Sequence, residues 1–184
     1  AYEHYARGRR NFTQAGKESL EVARQDFERA LEIDDHYALA HAGLGAVHAL
    51  RCLNRRDPED LAAAGHHLER AIALDPELAE PYAWLCYVRM RSNQTEQAIA
   101  TGRRGVELQP DMAIAHYFLG LSYFSGGESK PAYFCEAGRS LLRAAAADPR
   151  WQPTWYVLSY LALLTGQYER AELFAGRLLE LAAS

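Results

Sequence analysis

The sequence feature that most limits the fold of this chain is a short segment that returns four times. The four copies read ALEIDD, AIALDP, GVELQP and AAAADP, and they occupy residues 30–35, 71–76, 105–110 and 144–149. Their last residues are 41, 34 and 39 residues apart, and 35 residues remain after the fourth copy. A recurrence of this length is typical of proteins that stack one small unit on the next. We therefore predict a single array of five units, with approximate bounds 1–35, 36–76, 77–110, 111–149 and 150–184.

A second pattern, inside the units, indicates that each unit is a pair of helices. Units two to five carry a ring-bearing residue, a leucine three positions later and then a small residue, at 41–45, 82–86, 116–120 and 155–159. In the second half of a unit, alanine recurs with a bulky apolar residue four positions on, as in Ala64 and Leu68. Spacings of three and four place side chains on one face of a helix. The small residues are expected where the two helices cross, and the closing proline ends the second helix.

These patterns resemble the tetratricopeptide-repeat family over essentially the whole chain, and the middle interval equals that family's period of 34 residues. The resemblance implies an all-α fold, a right-handed superhelical solenoid of about five helix-turn-helix repeats. In such a solenoid the first helix of each unit lines a concave groove. Insertions between the two helices explain the longer units, and one of them predicts a helix start at Asp57 and Pro58. The first unit departs from the pattern, since it closes on Asp35 rather than on proline.

A further resemblance concerns the setting of the array. Residues 1–9, 27–34 and 37–44 look like the repeat tails of bacterial multidomain regulatory proteins. This resemblance implies a sensory or partner-docking tail, and we expect a bacterial, cytoplasmic protein.

The register of the repeats selects the residues that face the groove in units three to five. We predict that a peptide or helix of a partner protein binds to Trp84, Tyr87, Arg91, Tyr117, Phe118, Leu121, Phe124, Tyr156 and Tyr160. Aromatic side chains often anchor binding energy, and grooves for peptide helices are lined with apolar groups. Some family members bind a peptide's C-terminal carboxylate with Lys, Arg and Asn, a set that is missing here apart from nearby Arg9 and Arg91. The expected ligand is therefore apolar or amphipathic.

Three alternatives stand beside this hypothesis. Aromatic residues at helical spacing can belong to the core instead of a binding site. The last helix, near 168–182, would suit a homodimer or a continuation of the chain, because apolar residues share one face: Ala171, Phe174, Ala175, Leu178 and Leu181. An apolar concave groove could also bind a small molecule.

Charge and motifs argue against several other functions. The net charge is −4 without a basic run, which disfavours nucleic-acid binding. No apolar run approaches the roughly 20 residues that span a membrane. The sequence contains no P-loop, H-E-x-x-H or G-x-S-x-G motif, so we predict that the chain is not an enzyme and carries no cofactor. Cys52, Cys86 and Cys135 are too scattered for a zinc site or a disulfide framework.

The seven histidines are not predicted to bind metal. His41 and His116 occupy the ring position of the repeat, where packing explains them. His48 shares a helix face with His41 but lies two turns away, too far to chelate an ion without a third partner. His66 and His67 are neighbours and point to different sides of their helix.

Overall fold

The computed structural model describes residues 1–14, 16–53 and 57–183, and these ranges form ten α-helices and no strand. In chain order the helices are α1 (Tyr2–Thr13), α2 (Lys17–Ile33), α3 (Ala38–Arg51), α4 (Pro58–Leu74), α5 (Ala79–Arg91), α6 (Thr95–Leu108), α7 (Ala113–Gly126), α8 (Ala132–Ala147), α9 (Gln152–Leu164) and α10 (Tyr168–Ala182). The predicted all-α fold is confirmed. Each odd-numbered helix packs most closely on the even-numbered helix that follows it. Each of the five predicted ranges therefore contains one helix pair.

Successive pairs stack through two kinds of contact. The second helix of a pair packs on the first helix of the next, as α2 does on α3 and α6 on α7. First helices also lie side by side, most extensively α5 beside α7. Contacts that run between neighbouring units in this way are those of a solenoid. None of the described helices is long and apolar enough to cross a membrane.

A repeated turn separates the units. Asp34, Asp75 and Asp148 each follow a second helix with φ between −146° and −135°. Each carboxylate accepts a hydrogen bond, 3.1 Å long, from the backbone amide two residues later. Because aspartate side chains satisfy local amides in this way, they favour turns over continued helix. The recurring aspartate of the closing segment therefore ends the second helix at the same point in three units.

The insertion in the second unit begins α4 at the predicted position. The Asp57 carboxylate accepts a hydrogen bond from the amide of Glu59 at 3.0 Å, and Pro58 occupies the first turn. The predicted helix start is confirmed. Residues 54–56 of the same insertion lie outside the described residues.

Glycines at the helix crossings let the two helices of a unit touch. A β-carbon added to Gly45 would lie 2.6 Å from Cγ of Leu68, and one added to Gly120 would lie 2.7 Å from Cγ of Leu141. Both leucines are fully buried. The predicted place of these glycines at the crossings is confirmed, because a larger side chain would force the close-packed helices apart.

The ring position of the repeat makes a hydrogen bond that the sequence pattern did not reveal. In units two to five its side chain donates to the backbone carbonyl six residues earlier, in the turn that closes the preceding unit. The pairs are His41 with Asp35 (3.1 Å), Tyr82 with Pro76 (3.2 Å), His116 with Pro110 (2.8 Å) and Trp155 with Pro149 (2.9 Å). Imidazole, phenol and indole can replace one another here because each carries an N–H or O–H donor. This bond ties each turn to the helix that follows it.

The buried side chains form three clusters that follow one another along the array. Phe27 and Val47 belong to the cluster at the first two units. Leu68 and Trp84 belong to a central cluster, and Leu141 and Leu158 to a third one near the end of the array. The core is therefore extended along the solenoid and is not concentrated at one centre.

Candidate functional site

From the repeat register, the odd-numbered helices are expected to line the concave side of the array, and each carries a stripe of three positions on that side. The repeat register gives the stripes, from α1 to α9, as Tyr5, Arg9 and Phe12; Ala42, Ala46 and Ala49; Ala83, Tyr87 and Met90; Tyr117, Leu121 and Phe124; and Tyr156, Tyr160 and Leu163.

The α1 stripe is of intermediate exposure, the α3 stripe is buried, and exposure then rises from α3 to α9. Tyr87 is buried, as are Trp84 and Phe118 beside the stripes. The predicted site residues of intermediate exposure are Arg91, Tyr117, Leu121 and Phe124. Tyr156 is 63% exposed and Tyr160 is 48% exposed. The nine residues selected from the sequence thus fall into three groups, and the accessible ones lie mainly on α7 and α9.

The stripe of alanines on α3 explains why the first part of the concave side is closed. These alanines are too short to hold α1 and α5 apart, so side chains from the two helices meet over α3. Phe12 contacts Trp84 edge to face, with ring centroids 6.1 Å apart, and Arg9 donates a hydrogen bond to Glu80 at 2.7 Å. Three successive small stripe residues were the available sequence signal for this closure, and sequence reasoning missed it.

Two aromatic contacts link the stripe of α7 to the last unit. Phe124 and Tyr160 join α7 to α9 with ring centroids 5.8 Å apart, and Tyr117 contacts Trp151, just before α9, at 4.5 Å. Burial raises the pKa of Tyr117 to about 12, so its hydroxyl stays protonated and can donate a hydrogen bond. We define the aromatic surface as Tyr117, Leu121, Phe124, Tyr156 and Tyr160.

The aromatic surface carries almost no charge. Neither α7 nor α9 contains Asp, Glu, Lys or Arg. The two cations expected near the groove are both engaged: Arg9 with Glu80, as above, and Arg91 with the hydroxyl of Tyr87 at 2.9 Å. The apolar side chains and tyrosine hydroxyls of the aromatic surface suit an uncharged, apolar ligand face.

A cleft of about 310 Å³ lies between α8, α9 and α10, and none of its lining residues belongs to the aromatic surface. Its walls are mainly apolar and include Phe134, Leu158, Leu161 and Phe174, together with the cations Arg139 and Arg170. Sequence reasoning missed this cleft, because it depends on how three helices from two units meet.

The two buried cysteines are poor nucleophiles. Burial raises the pKa of Cys86 to about 12 and also raises that of Cys52, so both thiols are protonated at neutral pH.

Within the described ranges, Asp34, Asp35 and His36 bring three exposed ligand atoms within 4.8 Å of one another. The Asp34 carboxylate in this turn already accepts the amide hydrogen of His36.

Helix pairs joined by a repeated turn, with the first helices side by side from α1 to α7, have the arrangement of a tetratricopeptide-repeat fold. The predicted resemblance is confirmed at the level of the fold by solved structures. The chain matches a thermophilic TPR protein of Thermus thermophilus with a TM-score of 0.76 and 19% identity, over 98% of this chain and 92% of that one. It matches MamA from Desulfovibrio magneticus with a TM-score of 0.68 and 16% identity, over 99% and 94% of the two chains.

A third solved structure is YrrB, described as a TPR protein with an unusual peptide-binding site. Its TM-score is 0.59 at 21% identity, over 89% of this chain and 78% of that one. No protein-family model and no curated protein sequence matches the chain.

Proposed function

We propose that this chain is a protein-interaction module that binds an apolar or amphipathic segment of a partner protein on the aromatic surface. The observation that carries the proposal is the exposure of Tyr156 and Tyr160 on α9, a helix without a charged residue. Large exposed apolar side chains grouped on one face are typical of interaction sites. In this proposal the chain binds a partner and does not catalyse a reaction.

The composition of the aromatic surface supports a peptide ligand. Tyrosine combines a large apolar ring with a hydroxyl that can bond to a peptide backbone, and it is enriched among residues that dominate binding energy. Phe124 and Leu121 offer a half-buried floor between the exposed tyrosines and the core. A peptide laid along α7 and α9 would bury the tyrosine rings and leave few polar groups unpaired.

The kinds of protein that this chain resembles also support a docking function. The resemblance to repeat tails of bacterial regulators would make the module a docking segment within a larger cytoplasmic chain. The similarity to YrrB supports peptide binding in particular, since that protein is described as having a peptide-binding site. Because α7 and α9 carry so little charge, we expect their affinity for the partner to change little with salt concentration.

The test is a comparison of two double variants in capture experiments from a lysate of the source cell. The first, Tyr156→Ala with Tyr160→Ala, removes the exposed rings of the aromatic surface. The second, Tyr168→Ala with Leu173→Ala, removes somewhat more exposed side chains from α10 and is the control. We expect proteins captured by the unmodified chain and by the control to fall at least about tenfold with the first variant, a loss of about 1.4 kcal/mol or more.

Equal recovery of the same proteins by the first variant would contradict the proposal. Equal losses from both variants would place the docking surface at the end of the array in general. Both variants change exposed side chains, so circular dichroism should show unchanged helix content.

Self-association is a second candidate function, and one observation favours it. Leu173 and Leu179 on α10 are 69% and 71% exposed, and exposed leucines at the end of a solenoid can pack on a second copy. Light scattering over a range of concentrations distinguishes the two functions. A mass that stays at one chain excludes the homodimer.

A further inference from the structure

Four histidines of the second unit lie together where α3 meets α4. His41 and His48 come from α3, and His66 and His67 come from α4. The ring centroid of His67 lies 5.2 Å from that of His41, 6.2 Å from that of His48 and 5.3 Å from that of His66. His67 is therefore the centre of the cluster, and its ring is close to three other rings that can each take up a proton.

The hydrogen bond between His41 and His67 has a fixed direction. Nε2 of His41 lies 3.1 Å from the carbonyl oxygen of Asp35, which can only accept, so Nε2 carries a hydrogen. In the neutral ring Nδ1 of His41 is then an acceptor, and Nδ1 of His67 donates to it over 3.0 Å. A proton added to His41 would go to Nδ1 and set two N–H groups against each other.

A proton added to His67 would go to Nε2, where the structure provides no partner for it. Within the described ranges, His67 makes its one hydrogen bond to His41, and no carboxylate contacts its ring. The carboxylate within the cluster is already engaged, since Oδ1 of Asp60 lies 2.7 Å from Nδ1 of His48 and its other oxygen accepts from Arg51 at 3.2 Å. The new charge would therefore stay uncompensated.

The charged groups around the cluster do not favour a cation at His67 either. Arg70, on the same helix, is a cation close enough to act on His41, and the carboxylate of Asp35 pairs with His36 at 2.5 Å. Ion pairs also connect this region with the helices packed against it: Glu21 of α2 with Arg51 of α3 (4.0 Å), Glu69 of α4 with Arg89 of α5 (3.2 Å), and Arg9 of α1 with Glu80 of α5 (2.7 Å).

Burial and charge together keep His67 neutral in the folded chain. Burial, followed by repulsion from His41, His48 and His66, lowers the pKa of His67 to about 4. Burial also lowers the pKa of His41. A histidine in an unfolded chain has a pKa of about 6.5. Between about pH 6.5 and pH 4, the unfolded chain therefore binds a proton at residue 67 that the folded chain excludes.

We propose that His67, surrounded by three other histidines, makes the contact between α3 and α4 sensitive to mild acid. The stability that depends on the neutral ring is fully present above about pH 6.5 and is lost as the pH falls toward 4. The second unit then opens more readily than the later units, because each repeat contacts only its neighbours. Since α1 and α5 meet over α3, the closed first part of the concave side loosens with it. The cluster lies in the second unit and is independent of the aromatic surface.

Two neighbouring residues of α4 supply matched variants. His67→Gln keeps an N–H donor for Nδ1 of His41 but does not take up a proton in this pH range. His66→Gln makes the same change at an exposed position, whose repulsion is the smallest of the three that act on His67. Circular dichroism at pH 8 should show unchanged helix content in both variants.

The experiment is urea denaturation of the full chain at pH 7 and at pH 5. We expect the equilibrium constant of unfolding to rise about tenfold more on acidification in the unmodified chain than in His67→Gln. His66→Gln should keep most of the pH dependence of the unmodified chain. The comparison cancels the effect of the carboxylates, because all three proteins share them.

A nuclear magnetic resonance titration of the histidine rings tests the proposal on the unmodified chain alone. The ring of His67 should remain neutral at pH 5. Protonation of His67 near pH 6.5 would overturn the proposal, as would an equal pH dependence of unfolding in the unmodified chain and His67→Gln. Loss of the pH dependence in His66→Gln to the same extent as in His67→Gln would overturn the assignment to His67.

Hydrogen exchange at pH 7 and pH 5 tests whether the opening is local. After correction for the intrinsic effect of pH on exchange, acidification should accelerate exchange more in α3 and α4 than in α7 and α8. His67→Gln should remove this difference. Equal acceleration in the two helix pairs of the unmodified chain would contradict an opening centred on the second unit.

Discussion

Gly120 and Gly176 lie inside helices and differ in what surrounds them. A β-carbon on Gly120 would lie 3.3 Å from the backbone nitrogen of Leu141 in addition to its close approach to that side chain. A β-carbon on Gly176, in α10, would meet no atom within 4 Å in the described part of the chain. Helices favour alanine over glycine by about 0.5–1 kcal/mol, because glycine loses more backbone entropy. Both sites share this preference, so packing decides whether the substitution raises or lowers the free energy of unfolding.

We predict that Gly120→Ala lowers the free energy of unfolding by about 1–2 kcal/mol. Overpacking costs about 1–3 kcal/mol, and the helix preference offsets part of it. Gly176→Ala should instead raise the free energy of unfolding by about 0.5–1 kcal/mol. Urea denaturation followed by circular dichroism measures both changes. Shifts of the same sign in the two variants would contradict the packing argument.

Residues that act within one unit could be predicted from the sequence. Asp57 follows a capping rule that needs only the next two residues, and Gly45 follows from helical spacing within one helix pair. The hydrogen bond of the ring position could not be predicted, because it depends on the backbone path of a turn.

Among the described helices, α10 is the one that packs substantially on a single neighbour. Most of its contacts are with α9, whereas α8 contacts both α7 and α9. Of its side chains only Ala171 is buried. A helix with few buried contacts opens at low free energy, and its amide hydrogens exchange early.

We predict that amide hydrogen exchange is fastest in α10 among the ten described helices, and slowest in α5 and α7 near the central cluster. Mass spectrometry of peptic peptides measures this order. Protection of α10 equal to that of α7 would show that another surface covers it, as self-association would. Repeating the measurement at low protein concentration separates these cases.

The pairing of helices followed from the sequence, whereas the exposure of the stripes did not. Tyr87 and Tyr160 occupy the same stripe position on α5 and α9, yet Tyr87 is buried and Tyr160 is 48% exposed. The difference arises from helices one or two units away, because side-chain size on α3 decides how closely α1 approaches α5. A pattern read within one unit contains no information on that approach.

For the molecule as a whole, stability is distributed along three clusters, so a defect should act locally. Leu141 is fully buried in the third cluster, and its neighbour Leu142 is 48% exposed. Leu141→Ala removes buried methyl groups and leaves a cavity, whereas Leu142→Ala changes mainly surface.

We predict that Leu141→Ala lowers the free energy of unfolding by about 2–5 kcal/mol, and that Leu142→Ala changes it by less than about 0.5 kcal/mol. The loss should be confined to one end of the solenoid, since repeats depend on their neighbours. Hydrogen exchange should therefore accelerate in α7 to α10 and stay unchanged in α1 and α2. Uniform acceleration along the chain would indicate a single cooperative unit instead.

The alanine stripe of α3 sets the aperture of the groove. Longer side chains at those three positions would separate Phe12 from Trp84 and extend the open concave surface toward the first unit. The width of the groove therefore depends on the volume of side chains that do not contact the ligand. A lineage of such arrays could widen or narrow its groove, and so exchange one class of partner for another, while every contact residue stayed the same.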